Sequence, residues 1–156
     1  MPLLQSNYIG RFAPSPTGPL HFGSIVASLG SYIDARFNKG TWLLRMDDLD
    51  TTRVETGADD RIYYALDKLG MRWDGEVIYQ SRRTEAYHEA EQELESKNLL
   101  YPCYCSRKIV GGQVYPGTCR DIKGDSSRQH SIRIKTNAEI YIFHDRKIDI
   151  GEFSLT

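Results

Sequence analysis

The chain has 156 residues, 40% of them apolar and 26% charged, with a formal net charge of −1 and a pI near 6.4. That size fits one globular domain, and the balance leaves no basic tail or stripe for sequence-independent grip on a phosphate backbone. No apolar run reaches the ~18 residues of a membrane helix, and the N-terminus reads as neither basic nor apolar in the manner of a leader, so a soluble, cytoplasmic protein without a membrane partner is expected.

Tyr8 to Ala13 is a short apolar and aromatic run that stops where Pro14, Pro16, Gly18 and Pro19 forbid a continuing ladder, and it is predicted as the first strand. From Gly23 to Phe37, Val26, Leu29, Ile33 and Phe37 recur at helical spacing, and Asn38-Lys39-Gly40 supplies the stop, which predicts a helix with one apolar face. Thr41 to Met46 is largely apolar, as in a strand buried on both sides, and ends in Asp47-Asp48-Leu49-Asp50. Strand, helix and strand in so short a span define a βαβ unit.

A second helix is expected over Ala58 to Leu69, with Ile62, Ala65, Leu66 and Leu69 on one face and Gly70 closing it. A turn at Trp73-Asp74-Gly75-Glu76 and a short strand at Val77-Ile78-Tyr79 precede a third helix over about Arg83 to Lys97. After Leu99 the helical period vanishes, and Cys, Tyr, Gly, Pro and basic residues dominate through Arg120, as in a small inserted subdomain. Ser131 to Thr136 alternates apolar and polar, and Ile140 to Phe143 does so less cleanly, which predicts a return to sheet. The organisation expected is therefore an N-terminal half of a nucleotide-binding fold over 1–99, an insert over 100–125, and a return to the sheet over 126–156.

The Pro/Gly turn opening into a helix at His21-Phe22-Gly23-Ser24 carries the first chemical signal. A helix N-terminus beyond the carboxyl end of a parallel strand offers free backbone N–H groups to a phosphate. Gly23 there allows close approach and His21 can donate, which suits an attack on the α-phosphate of ATP; a structural turn with a capping histidine is the plainer alternative. Arg11 and Asp47, at the ends of neighbouring strands, could share one crevice. Arg11 would take a carboxylate in a fork and Asp47 an ammonium, as a substrate such as glutamate requires, unless the two pair with each other or are simply solvated. The Asp47 to Asp50 run is also a weaker candidate for a divalent cation.

The second signal is Cys103-Tyr104-Cys105 followed by Tyr115-Pro116-Gly117-Thr118-Cys119. An odd cysteine number, three within a short Gly/Pro-rich stretch, argues against a disulfide framework and for Zn²⁺ or inert buried thiols. A subdomain too small for its own core would gain its order from such a metal. Tyr115, His88, His130, His144 or water could complete the tetrahedron, and spacing does not choose among them.

Together these residues resemble the class I glutamyl-tRNA synthetase group, and within it the glutamyl-queuosine tRNA(Asp) synthetases. Pro14-Ser15-Pro16-Thr17-Gly18-Pro19-Leu20-His21-Phe22-Gly23-Ser24 is similar to that group's form of the "HIGH" signature, with Ser24 at the place of the second histidine. Leu44-Arg45-Met46-Asp47-Asp48-Leu49-Asp50 is similar to the "RIEDID" segment that follows it.

The resemblance implies an α/β, class I aminoacyl-tRNA synthetase-type Rossmann fold, here its N-terminal half, with a small zinc-binding insertion. It implies that Arg11, Phe12, Ala13, Pro14, Ser15 and Asp47 bind glutamate, with Asp47 where the group often has Glu and one methylene shorter in reach. His21, Gly23 and Ser24 would form the catalytic ATP site. Cys103, Cys105, Tyr115 and Cys119 would hold Zn²⁺, and ATP would enter with Mg²⁺ as a substrate. The implied reaction is activation of L-glutamate by ATP and its transfer to queuosine in the anticodon of tRNA(Asp). A glutamyl-tRNA synthetase fragment or an inactive zinc-stabilised remnant are the alternatives. The residues after His21 and the Tyr115 to Cys119 spacing follow the queuosine-directed pattern.

Members of the group are roughly double this length and a monomer is expected at full length. A lysine loop resembling "KMSKS" would fall beyond residue 156, so this chain is expected to be a truncated form whose half-sheet leaves an apolar edge in need of cover.

Overall fold

The computed structural model describes residues 8–110, 114–122, 124, 127–136, 140–143 and 151–154. The chain divides into two compact units, residues 1–87 and 88–156. No helix among the described residues is long and apolar enough to cross a membrane.

The first unit is a parallel sheet in the order β1-β2-β3, built from β1 (Ile9–Phe12), β2 (Thr41–Met46) and the two-residue β3 (Ile78–Tyr79). β1 runs beside β2 from Ile9↔Thr41 to Phe12↔Leu44, and β3 meets the end of β2 at Arg45↔Ile78 and Met46↔Tyr79. Helix α1 (Phe22–Phe37) makes the crossover between β1 and β2, and α2 (Ala58–Lys68) lies between β2 and β3. The βαβ reading of the sequence is thus observed, with element ends shifted by a residue at most.

The core gathers around β2. Trp42, Leu44 and Met46 alternate onto one face and are fully buried, together with Phe12, Ala35, Ile62, Leu66 and Met71. Trp42 organises the cluster. Its ring stacks at 6.4 Å on Phe12 and meets Tyr32 edge-on at 5.1 Å, while its indole N–H donates to Ser31 Oγ at 2.9 Å, so burial leaves no polar atom of the ring unpaired. The opposite face of β2, Leu43 and Arg45, is only half-buried, which corrects the expectation of a strand buried on both sides.

Helix α1 corrects a second expectation. Its apolar stripe does not face the core: Phe22 and Phe37 are 80% and 85% exposed, and Val26, Leu29 and Ile33 also lie open. Ser28 and Ala35 are the buried residues instead. The reason is the closeness of helix and strand. A Cβ at Gly10 of β1 would stand 3.1 Å from Ala35 Cβ and 3.2 Å from the Ser31 carbonyl oxygen, so only small residues fit between the two elements. In α2, Ile62 and Leu66 are buried as read from the period, whereas Leu69 is exposed.

Two junctions fix the start of β2. At its start, Gly40 lies against Tyr8, where an added Cβ would stand 2.3 Å from the Tyr8 carbonyl oxygen, the same oxygen that accepts from Thr41 N–H at 3.0 Å. Beside it, Asp74 acts in place of a neighbouring strand. Its N–H donates to Trp42 O and its carboxylate accepts from Trp42 N–H, both at 2.8 Å, while Arg36 forks onto the same carboxylate at 2.7 and 3.3 Å. The Arg36 hydrogen bonds hold the Asp74 carboxyl below its usual range.

The second unit contains most of α3 (Thr84–Ser96), then β4 (Leu100–Cys103), the short α4 (Arg107–Val110), β5 (Ser131–Ile134), β6 (Ile140–Phe143) and β7 (Gly151–Ser154). β4 pairs antiparallel with β5 from Leu100↔Ile134 to Cys103↔Ser131, and β6 pairs antiparallel with β7. Pro102 is accommodated because, among the described residues, β4 pairs with one strand only and its other edge is unpaired. Among the described residues the buried ones here are few: Tyr101, Cys103 and Cys119, with Tyr104, Cys105 and Tyr115 packed against them.

Candidate functional site

The first site grows from the break in β1. After Phe12 the proline-rich loop leaves the sheet, and a cleft of about 450 Å³ opens between the loop and the first turns of α1. Phe12, Ala13, Pro14, Ser15, His21, Gly23 and Ser24 all line it, so most of the residues read as glutamate and ATP ligands converge on one space.

Prolines lack an N–H but accept through their carbonyls, and both early prolines of the loop are used in this way. Asp47 N–H donates to Pro14 O at 2.9 Å and Glu55 N–H to Pro16 O at 3.0 Å. The segment after β2 therefore braces the loop. Glu55 is itself held by Arg61 at 2.9 Å, a support that no motif in the sequence announced.

At the start of α1, His21 is the N-cap. Its Nδ1 accepts from Ser24 N–H at 3.2 Å, and its Nε2 lies 3.0 Å from Ser24 Oγ. With Nδ1 accepting, the ring proton belongs on Nε2, which donates to Ser24 Oγ and leaves the serine its own O–H. Both ring nitrogens are thus engaged by Ser24, so the donor facing outward is the serine hydroxyl rather than the imidazole. Gly23 makes this possible. A Cβ there would stand 3.1 Å from His21 Cε1 and 3.2 Å from Nδ1, so the missing side chain is the space that the imidazole occupies.

Arg11 and Asp47 are not paired with each other. Arg11 points from the edge strand into solvent, and Asp47 takes a fork from Arg45, with Nε to Oδ1 at 2.6 Å and an Nη nitrogen to Oδ2 at 3.1 Å. The pair is more than two-thirds buried on both sides. Arg45 was within the recognised motif, but nothing in the spacing distinguished it as the partner of Asp47. Asp48 accepts from Ser81 N–H and Oγ at 2.8 and 2.6 Å, and Asp50 from Thr52 and Arg53 at 2.6 and 2.7 Å. Burial pushes the Asp48 carboxyl up, but the Ser81 bonds outweigh it and leave it below the usual range. The three acids of this run turn to different partners, four in all, and do not form a shared cation site.

The second site lies in the other unit. Cys103, Cys105 and Cys119 place their sulfurs within 4.8 Å of one another, and no histidine or carboxylate of the described residues joins them. Cys105 Sγ and Cys119 Sγ are 3.6 Å apart, far beyond the ~2.05 Å of a disulfide, and all three cysteines are free. The Tyr115 hydroxyl sits over the cluster, 3.4 Å from Cys103 Sγ and 3.9 Å from Cys105 Sγ, and accepts from Cys119 N–H at 2.8 Å.

A tetrahedral zinc bonded to sulfur at about 2.3 Å and to oxygen at about 2.0–2.2 Å requires S···S edges of about 3.8 Å and S···O edges of about 3.5 Å. The Cys105–Cys119 edge of 3.6 Å and the Tyr115 edges of 3.4 and 3.9 Å lie near those values, and all three sulfurs fall within 4.8 Å of one another, so three thiols and this phenol fit the metal. Burial pushes the Cys103 thiol up, but hydrogen bonds from Tyr115, the Cys105 backbone and Arg133 outweigh it and bring it down to about 6. Tyr115 and the Tyr104 backbone lower Cys119 as well, whereas neighbouring Cys119 raises Cys105, and Tyr115 itself is raised by Cys103 and Cys119. His88 instead faces Glu91 at 3.5 Å, and His130 packs against Tyr104 at 5.6 Å; His144 lies outside the described residues.

A parallel βαβ unit with its cleft at the carboxyl end of the first strand, followed by a cysteine-rich unit, is the arrangement of a tRNA synthetase catalytic domain. The chain belongs to the family described as tRNA synthetases class I (E and Q), catalytic domain, which matches residues 9–112. It is similar to the glutamyl-Q tRNA(Asp) synthetase of Dechloromonas aromatica (strain RCB), at 47% identity over 97% of this chain and 57% of that protein. It is also similar to the protein of the same name from Pseudomonas entomophila (strain L48), at 49% identity over 91% of this chain and 48% of that one. The chain thus spans about half the length of the curated relatives it matches. In fold it resembles a glutamate tRNA ligase from Elizabethkingia meningosepticum solved in complex with its amino acid, with a TM-score of 0.76 at 23% identity, covering 95% of this chain and 36% of that one.

Proposed function

We propose that this chain carries the amino-acid and ATP half-site of a ligase that activates L-glutamate and transfers it to queuosine in tRNA(Asp). The observation that carries the reading is the cleft of the first unit. One space is lined by Phe12, Ala13, Pro14 and Ser15 on the loop side and by His21, Gly23 and Ser24 on the helix side, with Asp47 tied to the loop through Pro14. The names of relatives that this chain matches at 47% and 49% identity supply the substrate class.

In this reading the loop side holds glutamate and Asp47 meets its ammonium, while Arg11, exposed next to the cleft's first lining residue, turns in to meet its side-chain carboxylate. Arg45 keeps the Asp47 carboxylate oriented while the substrate approaches. The α-carboxylate oxygen of glutamate attacks the α-phosphorus of ATP, an O–P bond forms, and pyrophosphate leaves with its Mg²⁺. Charge that gathers on the phosphate oxygens in that step meets the first N–H groups of α1 and the Ser24 hydroxyl, which His21 holds in place. Cys103, Cys105, Cys119 and Tyr115 would hold Zn²⁺, which supplies a crosslink for a unit with little apolar core and takes no part in the chemistry. A cytoplasmic location accords with the free thiols.

The test is glutamate-dependent exchange of pyrophosphate into ATP, run on this chain and on the chain joined to the remainder of the Dechloromonas relative. Exchange by the joined protein, followed by glutamate transfer to queuosine-bearing tRNA(Asp) but not to unmodified tRNA, is the expected result. Charging of a tRNA 3′ end would favour an ordinary glutamyl-tRNA synthetase. Absence of any exchange in the joined protein would sink the enzyme reading and leave an inactive zinc-stabilised domain.

A further inference from the structure

A cleft of about 300 Å³ lies beside the cysteine cluster in the second unit, lined by Tyr101, Tyr115, Arg120, Arg133, Ile134 and Thr136. Its two arginines arrive from different segments. Arg120 follows Cys119 directly, and Arg133 lies on β5 opposite Tyr101 of β4. Among the described residues no carboxylate lines the cleft.

Five of the chain's guanidinium groups are neutralised by carboxylates. Arg36, Arg45, Arg53, Arg61 and Arg72 each stand within 4 Å of an Asp or Glu oxygen. Arg120 and Arg133 make no such pair among the described residues, a lack they share with Arg11, Arg82, Arg83 and Arg128; Arg133 is turned toward the Cys103 sulfur instead. Moreover, Arg120 Nε and Arg133 Nε are the two buried side-chain polar atoms of the described residues that have no hydrogen-bond partner. Buried donors are almost always satisfied, so two orphans lining one cleft indicate a common missing acceptor. Arg133 is held in position by the Tyr115 ring, 4.3 Å beneath its guanidinium carbon.

We propose that this cleft is a phosphate site, taking a phosphate group that is either free or part of a polynucleotide backbone. Two planar forks lining one cleft suit a tetrahedral anion, whose oxygens can accept from both, better than a carboxylate, whose two oxygens saturate one fork. The Thr136 hydroxyl on the same wall adds a third donor. A volume at the low end of ligand pockets, which span about 300–1,000 Å³, admits a phosphate with its flanking atoms. Its lining shares no residue with the glutamate and ATP cleft, and the proposal does not depend on the function proposed for that cleft.

The experiment follows the arginine Nε–H resonances of the isotopically labelled, zinc-loaded chain during titration with inorganic phosphate and, separately, with a short oligoribonucleotide lacking terminal phosphates. Saturable shifts of the Arg120 and Arg133 Nε–H signals are expected. Arg120→Gln should weaken the response read at Arg133 about tenfold or more, at unchanged zinc content. Arg120→Lys keeps the charge but loses the fork and should weaken it severalfold; this variant decides the matter if the glutamine form fails to fold. Response to the oligoribonucleotide assigns the polynucleotide backbone as the source, and response to inorganic phosphate alone assigns a free phosphate. Shifts confined to residues around Gly23 and Ser24, or equal affinity in the parent and both Arg120 variants, would overturn the proposal.

Discussion

The two units hold themselves together by different means. Residues 1–87 enclose a contiguous apolar cluster around Trp42, Leu44 and Met46, whereas residues 88–156 bury Tyr101 and two cysteines and little else among the described residues. Apolar burial at roughly 25 cal/mol per Å² can support the first, but the second has too few such side chains to offset its chain entropy. The sulfur cluster stands where a core would be. Order in the first unit is a property of its packing, and order in the second should depend on what the thiols bind.

Zinc removal is the most forceful way to break this comparison. Chelation, or Cys119→Ser, should abolish amide-exchange protection in β4 and β5 and leave β2 protected, since structural zinc is worth about 10–16 kcal/mol in small zinc-dependent folds. Equal loss of protection in both units would show that they are not independent in this respect. Next in size is Asp47→Ala in the joined protein. Loss of the charged partner should raise the glutamate KM about ten- to a hundredfold and leave the ATP KM nearly unchanged; parallel loss of both would remove Asp47 from its proposed role.

The third test sharpens the comparison through pH. The Cys103 thiol is depressed from the ordinary thiol value to about 6, so its ionisation contributes stability that is complete above that ordinary value and is lost as pH falls through about 6. Zinc affinity measured against a competing chelator should weaken by about tenfold per pH unit below that point for this one proton. An affinity flat between pH 7 and pH 5 would contradict it. The smallest effects separate the two faces of α1. Ala35→Leu should destabilise the first unit by about 1–3 kcal/mol through overpacking against Gly10, while Ile33→Gln should stay within about 0.5 kcal/mol in denaturant titrations.

That last pair also marks how far the sequence could be read. The limits of β2 and the period of α1 were legible, because apolar runs, Gly stops and Pro turns are local signals. Which face of α1 turns inward was not, since it depends on the closeness of Gly10 to Ala35, two residues brought together only by folding. The loop from Ala13 to Ser24 and the cysteines announced themselves as motifs. The fork of Arg45 on Asp47, the Ser81 bonds to Asp48 and the engagement of His21 by Ser24 are matters of rotamer and distance, and charge pattern alone left them open. A phenol among the thiols came from family resemblance; elementary ligand preference would have chosen a histidine.

Gly40 carries a consequence for how this domain tolerates change. Its backbone is not held at a positive φ, so the usual reason for a glycine does not apply. The obstacle is the Tyr8 carbonyl oxygen, 2.3 Å from any Cβ, which belongs to main chain and cannot rotate aside. Even alanine would have to separate the first strand from the second at the point where their pairing begins. In a saturation library this position should therefore be closed to every other amino acid, although it lies in a turn, while neighbouring Asn38 at φ −81 accepts more and Lys39 at φ 52 favours glycine and asparagine.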